Sequence, residues 1–172
     1  MTRKRIATLA VAAGAALALA GVVQAGHGGG TAQGSGVHLT VHNVFGLQTL
    51  ELKQFQFKAQ GNPDGSATGS YTYKEVDDGA PFDASGPITC MAIVGNDAWI
   101  GGTITSSTDP TVVGMGSWWH VTDNGQGAND SADITTFLGI GTAEETQAFC
   151  DDYPPYKHPF GIDGGNIKVR GD

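Results

Sequence analysis

Two cysteines, Cys90 and Cys150, are the residues best suited to covalent chemistry in this chain. A reactive thiol needs a neighbour that stabilises the thiolate, and Cys90 stands among Thr89, Met91 and Ile93, none of which does so. In an exported chain an even number of cysteines is most simply explained by disulfide bonding. We therefore predict a Cys90–Cys150 bridge with a structural role.

The most polar segment, residues 123–133, has the composition of a calcium loop. It is rich in glycine and carries five side chains with the hard oxygen donors that Ca²⁺ prefers: Asp123, Asn124, Asn129, Asp130 and Asp133. Its spacing differs from that of EF-hand loops and nonapeptide repeats. The same residue types are typical of metal-free turns, because they tolerate positive φ and bond their own backbone. We favour a turn without a cofactor and keep calcium as the alternative.

Aromatic side chains on predicted strands are candidates for a surface that binds a sugar or a partner. Trp118 and Trp119 are adjacent, so on a strand they point to opposite faces. We expect one of them in the core and treat the other as a candidate for exposure. Tyr71 and Tyr73 share one strand face and present the same choice. Burial of these rings is the favoured interpretation, because large aromatic side chains are often covered.

Motifs for nucleophilic or metal-dependent catalysis are missing from the sequence. It contains no G-x-S-x-G elbow, no S-x-x-K and no H-E-x-x-H. His38 and His42 are four residues apart, which on a strand separates them by about 13 Å, too far for one metal ion. We interpret both, with His120 and His158, as solvent-facing strand and loop histidines. The sequence therefore leans away from an enzyme, and a small secreted enzyme acting in a barrel cavity is kept as an alternative.

The N-terminal residues have the three parts of a secretory signal peptide. MTRKR is basic, residues 6–23 form an apolar run rich in Ala and Gly, and Val23 and Ala25 precede the expected cleavage point. We assign residues 1–25 to the signal peptide, 26–36 to a flexible Gly-rich leader and 37–172 to a single domain. The protein is then secreted or extracytoplasmic, without a stable membrane anchor after cleavage.

The charge balance narrows the range of partners. Nine basic residues against 17 acidic ones give a formal net charge of −8, and three of the basic residues lie in the signal peptide. A surface this acidic repels phosphate backbones and anionic lipids, so nucleic acid and membrane-surface binding are disfavoured. An extracellular polymer or a small ligand fits the charge.

Apolar and polar residues alternate with period two through most of the chain, which predicts strands. In residues 49–59 the apolar parity changes from Leu50 and Leu52 to Phe55 and Phe57, which suggests a β-bulge or a break near residues 53–54. Other strands are predicted over residues 37–45, 66–76, 111–123, 132–140 and 166–170, with a hairpin turn at 95–97. Residues 142–150 form either a capped helix or a loop. We predict an all-β fold, an antiparallel barrel or sandwich of about seven to nine short strands.

Five short motifs resemble those of a group of small exported bacterial proteins of uncharacterised function. They are F-x-F-x-A at 55–59, G-x-A-x-G at 65–69, I-T-C at 88–90, G-N-D-A-W-I-G-G at 95–102 and V-x-D-N-G at 121–125. The resemblance implies secretion and a compact β domain, and it implies no activity. We expect a non-catalytic binding or structural module of the envelope or extracellular space. The alternative is a barrel that carries a small apolar ligand, an analogy from architecture alone.

Overall fold

A computed structural model describes residues 29–44, 47–77, 79–127 and 129–172, so the predicted signal peptide lies outside the described residues. Within these ranges the chain forms strands, one short 3₁₀ helix over Pro110–Val112 and one α-helix, α1 (Ala143–Asp152). The strands are β1 (Gly30–Val44), β2 (Leu47–Gly61), β3 (Ala67–Asp77), β4 (Ala80–Val94), β5 (Asp97–Thr103), β6 (Ser106–Ser107), β7 (Gly116–Thr122), β8 (Ile134–Thr135), β9 (Gly139–Gly141), β10 (Phe160–Gly161) and β11 (Gly164–Gly171). None of the described helices is long and apolar enough to cross a bilayer.

The strands form one curled antiparallel sheet, a half-barrel, which confirms the predicted all-β class. Along the sheet the order is β10-β8-β7-β5-β4-β3-β2-β1-β11, with β6 added beside β4 and β9 beside β7. Long hairpins dominate one half, and their register runs without interruption between β1, β2 and β3. Strand β4 joins the two halves, since residues 80–87 pair with β3 and residues 88–94 pair with β5. Its register shift between Ile88 and Cys90 lies at this corner, where a bulge bends a strand.

Strand β1 begins at Gly30, so the assignment of residues 26–36 to a flexible leader is wrong from that residue onward. This part of β1 is paired on both sides, with β2 and with β11. Gly34 and Gly36 face inward beneath aromatic rings, and a Cβ atom on Gly36 would lie 2.5 Å from Cζ of Phe55. The glycines therefore reflect a close approach between backbone and ring rather than a flexible chain.

Several other elements differ from the sequence prediction in their limits. The strand predicted over 111–123 begins only at Gly116, because Pro110 starts a 3₁₀ turn before it. The strand predicted over 132–140 is two short strands, β8 and β9. Strand β2 continues straight through residues 53–54, so the predicted bulge is wrong. The hairpin turn between β4 and β5 is confirmed, with Gly95 at φ 65°.

Helix α1 resolves the open choice over residues 142–150 in favour of a helix. Thr142 accepts a hydrogen bond from the Glu145 backbone N–H, and the Glu145 side chain accepts one from the Thr142 N–H, which is a capping box. The helix packs on the outward face of β5 and β7, and the Cys90–Cys150 disulfide fixes it there. Gly101 leaves room for this contact, because a Cβ atom there would lie 2.6 Å from Cys90 Sγ.

The interior of the half-barrel is filled by a cluster of buried side chains centred on Trp119. Its ring centroid lies 5.9 Å from that of Phe57 and 5.0 Å from that of Tyr71, whose hydroxyl is 2.7 Å from Ser117 Oγ. The free space that remains beside these rings is about 10 Å³. That volume is close to the minimum for one water molecule, so this core has no room for an apolar ligand.

Two aspartate carboxylates join the ends of the curled sheet. β11 is the last strand of the sheet, and its outer edge receives side chains rather than a strand. The N–H of Ile167 donates to Asp133 Oδ2 at 2.7 Å, and the N–H of Val169 donates to Asp123 Oδ2 at 3.0 Å. The second oxygen of Asp133 accepts the N–H of Asn124 at 2.9 Å, so this buried carboxylate serves two backbone donors. We call Asp123 and Asp133 the carboxylate latch.

Replacing Asp133 with Asn is expected to lower the free energy of unfolding by about 2–3 kcal/mol, since hydrogen bonds to charged groups contribute about 1.5–3 kcal/mol each. The amide has one oxygen, which accepts from only one of the two N–H donors. Its NH₂ group then faces the second N–H donor. Urea denaturation followed by tryptophan fluorescence measures the change. Asp130→Asn is the matched control from the exposed part of the same loop, with an expected change within about 0.5 kcal/mol. Equal losses in the two variants would show that the latch does not hold the sheet together.

Candidate functional site

The two halves of the sheet differ in what lies on their outward surface. Over β5 and β7, helix α1 and the segment 153–159 cover the outward side chains. Over β11, β1, β2 and β3, the outward side chains on β1, β2 and β3 are mostly exposed, and no described helix packs on them. The uncovered half is therefore the larger open surface of the sheet.

The antiparallel register places the outward side chains of this open half in rows that cross the four strands. Three consecutive rows are entirely polar, and we call them together the basic face. From β11 to β3 they are Arg170, Thr31, Gln60 and Thr68; Lys168, Gln33, Lys58 and Ser70; and Asn166, Ser35, Gln56 and Thr72. The face thus consists of cations, amides and hydroxyls.

The basic face carries positive charge and no carboxylate side chain. All 17 acidic residues of the chain lie outside the three rows, whereas Lys58, Lys168 and Arg170 lie within them. Among the described residues none of these three cations forms an ion pair, while the neighbouring Lys74 lies 3.9 Å from Asp83. An open depression of about 480 Å³ surrounds them. The result is a local positive field on a protein of net charge −8.

Beyond the basic face, toward the tip of the β1–β2 hairpin, the outward side chains become apolar. Cross-strand pairs join Leu39 to Leu52 and Val41 to Leu50, and Leu50 is 58% exposed. We call these four residues, with Val37 and Val76, the apolar band. The inward side chains at the same level are polar, so the two faces of the sheet exchange polarity along one pair of strands. This exchange is what produced the change of parity within residues 49–59.

Lys53 lies at the centre of the inward polar group and is fully buried. Its ammonium group pairs with Glu51 and lies 3.3 Å from Glu75 Oε1. The ring of Phe137 covers it, with 4.2 Å between Nζ and the ring centroid. Burial raises the pKa of Tyr73, and the negative charge of Glu75, to which its hydroxyl donates at 2.9 Å, raises it further. The group is closed on itself and covered by rings, which favours a structural role.

A second buried polar group lies under the segment 153–159, on the covered half of the sheet. His120 is fully buried, so its interpretation as a solvent-facing histidine is wrong. Tyr156 stacks on its ring at 4.1 Å, and Trp99 meets the ring edge-on while donating from Nε1 to the Pro154 carbonyl. His120 Nε2 lies 3.1 Å from Asp97 Oδ1, although neither ring nitrogen forms a hydrogen bond within the described structure. Burial lowers the pKa of His120 to about 4, against the opposing charge of Asp97.

The aromatic candidates for a binding surface do not form one. Trp119, Tyr71 and Tyr73 are buried in the half-barrel, which is the interpretation that the sequence favoured over a contact surface. Trp118 points outward, as the adjacent-residue argument requires, but it packs on Gly139 and near Phe149 and is half-buried. The alternation of strand side chains decided which tryptophan entered the core, and α1 with β9 covered the other.

The five residues of the predicted calcium loop are placed in different roles. Asp123 and Asp133 form the carboxylate latch, Asn124 donates from its side chain to the Ala132 carbonyl at 2.7 Å, and Asp130 accepts the N–H of Gly127. Asn129 is exposed. Within the described ranges no three His, Cys, Asp or Glu side chains are arranged to hold a metal ion. The turn without a cofactor stays a prediction, and calcium binding at this loop stays its alternative.

Sequence reasoning missed the basic face because its cations are far apart in the chain. Lys58 and Lys168 are separated by 110 positions, and only the pairing of both β2 and β11 with β1 places them in one row. The signal in the sequence was the polar alternation Thr31, Gln33 and Ser35, within the segment that we had assigned to the leader.

Comparison with known protein families finds no family model that matches the chain, and comparisons with curated proteins and with solved structures find no match. The expected resemblance to small exported bacterial proteins therefore stays an expectation. The function has to be argued from the geometry of the surface and of the two buried polar groups.

Replacing Lys53 with Met is expected to lower the free energy of unfolding by about 3–5 kcal/mol, because removing one partner of a buried ion pair leaves the other charge uncompensated. Chemical denaturation at neutral pH measures the loss. Lys74→Met, on the exposed side of the adjacent strand, is the control and should change stability by about 0.5 kcal/mol or less. In the triple variant K53M/E51Q/E75Q much of the stability should return. A triple variant as unstable as K53M would contradict the charge argument.

Acid is expected to destabilise the protein through His120. Its folded-state pKa of about 4 lies below the ordinary value of 6.5, so between these pH values the unfolded chain takes up a proton that the folded protein does not. Stability that is complete above pH 6.5 is therefore lost as the pH falls toward 4, by about 2–3 kcal/mol. Denaturation curves of the protein and of His120→Phe at pH 7 and 4.5 test this, because Phe removes that loss. His158→Gln, an exposed histidine, should keep the full pH dependence.

Proposed function

We propose that this protein is an exported, non-catalytic binding module that works outside the cytoplasm and holds an extended polymer on its basic face. Export is supported by the Cys90–Cys150 disulfide, since such bridges form and persist in oxidising compartments. The predicted signal peptide at residues 1–25 supports the same compartment.

The observation that carries the proposal is the contrast between the two halves of the outward surface. One half is occupied by the chain itself, through α1 and residues 153–159. The other half offers three polar rows across four strands, with all carboxylates elsewhere. Any sheet face that meets water needs polar residues. That requirement does not explain why three cations lie on this face without a carboxylate among them, in a protein with 17 acidic residues.

The interior gives less support to the alternatives of a carrier and a barrel enzyme. The space beside Trp119 is about 10 Å³, whereas ligand pockets have about 300–1,000 Å³. The buried ionisable side chains are covered by aromatic rings, Lys53 by Phe137 and His120 by Tyr156. The depression on the basic face is open to solvent and crosses four strands. It therefore suits an extended polymer better than a small molecule, which is usually bound in a pocket that buries most of its surface.

Blocking the basic face should abolish retention on a polymer. We would replace Ser35, in the middle strand of the face, with Cys and couple it to a polyethylene glycol maleimide. Retention would be measured by cosedimentation with insoluble polysaccharides, both neutral and acidic, including peptidoglycan, chitin and cross-linked polygalacturonate. The expected result is retention of the unmodified protein on at least one polymer and its loss after labelling at Ser35.

Ala148→Cys with the same label is the matched control, since Ala148 is exposed on α1, on the covered half of the sheet. Cys90 and Cys150 are bonded to each other and buried, so neither competes for the reagent. The labelled A148C protein should sediment as the unmodified protein does. Equal loss from both labels, or no retention on any polymer, would contradict the proposal.

A further inference from the structure

We infer that the polymer bound by the basic face is an acidic polysaccharide that crosses the strands along the row Lys168, Gln33 and Lys58. This inference rests on the proposed function and identifies the chemical class of its partner. It is argued from charge complementarity, from the spacing of the cations and from the side chains between them.

The cations of the basic face are complementary in charge to an anionic polymer. Lys58, Lys168 and Arg170 face outward without a carboxylate partner among the described residues, in a chain with 17 acidic residues. Unpaired cations on a shared surface attract an anion and would gain little from a neutral polymer. The acidic remainder of the protein repels anions, which confines an acidic chain to this face.

The cations lie farther apart than adjacent carboxylates of a polyuronate, so they can meet carboxylates on non-adjacent sugar units. Lys168 and Lys58 are two strand spacings apart, about 10 Å, and Arg170 is two residues along β11 from Lys168, about 7 Å. A polyuronate has one carboxylate on each sugar unit, so its charges are separated by the length of a sugar ring. The amide of Gln33, between the two lysines, both donates and accepts hydrogen bonds and suits the sugar hydroxyls between the charges.

Nucleic acid fits the same face less well. Proteins that bind duplex DNA with high affinity commonly make about 6–10 phosphate contacts, whereas the face has three unpaired cations. Single-stranded nucleic acid is held largely by bases stacked on aromatic rings, and the three rows contain only Lys, Arg, Gln, Asn, Ser and Thr. An acidic polysaccharide can be held here through its carboxylates and hydroxyls, which the cations and amides of the three rows can meet.

The test measures the affinity of the full purified protein for soluble polygalacturonate, for the fully methyl-esterified form of that polymer and for a 20-nucleotide DNA, single-stranded and duplex. Esterification removes the charge and keeps the sugar chain. We expect polygalacturonate to bind most tightly, at least about tenfold above the ester, with an affinity that falls as NaCl is raised because exposed charges are screened.

The triple variant K58Q/K168Q/R170Q should bind polygalacturonate about 3- to 125-fold more weakly, since each of three exposed ion pairs accounts for about 1.4- to fivefold in affinity. K157Q, a lysine in the segment 153–159, is the control and should bind as the unmodified protein does. The side chains of Lys58, Lys168 and Arg170 face away from the buried core, and Lys157 is exposed. An unchanged unfolding midpoint would verify that the triple variant is folded.

The outcomes separate this inference from the proposed function. Equal binding of polygalacturonate and its ester, with retention still blocked by the label at Ser35, would overturn the acidic polysaccharide and leave the binding module intact. Tighter binding of DNA than of polygalacturonate would replace the polysaccharide with nucleic acid and also overturn the inference. Binding that the triple variant and K157Q reduce equally would show that the basic face is not the site.

Discussion

The carboxylate latch occupies the outer edge of β11, the end strand that supports the basic face. A curled sheet that does not close leaves edge strands with unpaired N–H groups, and exposed edges invite pairing with other chains. Here the N–H groups of Ile167 and Val169 are taken by Asp133 and Asp123 rather than by a strand. The latch holds β11 in place, and β11 in turn supports β1 along its first half. Without it the basic face would lose its first strand.

The exchange of polarity along the β1–β2 hairpin is the second organising feature. Near the latch the inward residues are small or aromatic and form the core, and the outward residues are polar. Toward the hairpin tip the inward side is occupied by the pair Lys53–Glu51, and the outward side by the apolar band. A buried charge requires a partner, so Lys53, Glu51 and Glu75 occur together, and the rings of Phe137 and Phe160 complete their enclosure.

One half of the outward surface is covered by helix α1 and the other half stays open, because their outward side chains differ in size and polarity. Glycines at 101 and 116 let helix α1 approach the backbone of β5 and β7, and the disulfide to Cys90 keeps it there. On the other half, polar side chains on every outward position of three rows leave no apolar surface there for a helix to bury. The half of the surface that stays open is therefore also the half that carries the unpaired cations. Both properties favour it as the binding surface.

The fold class and the turn at Gly95 could be predicted from the sequence, because alternation and turn chemistry are properties of neighbouring residues. The disulfide could be predicted because the chain has two cysteines. Residues 142–150 stayed open between a helix and a loop until the contacts of α1 were known. Local patterns did not show that the glycines of β1 lie under aromatic rings. They also did not show that the change of apolar parity within residues 49–59 marks an ion pair on the inward face. Both depend on what faces the strand across the core. The basic face could not be predicted in this way. Lys58, Lys168 and Arg170 become neighbours through the pairing of three strands that come from opposite ends of the chain.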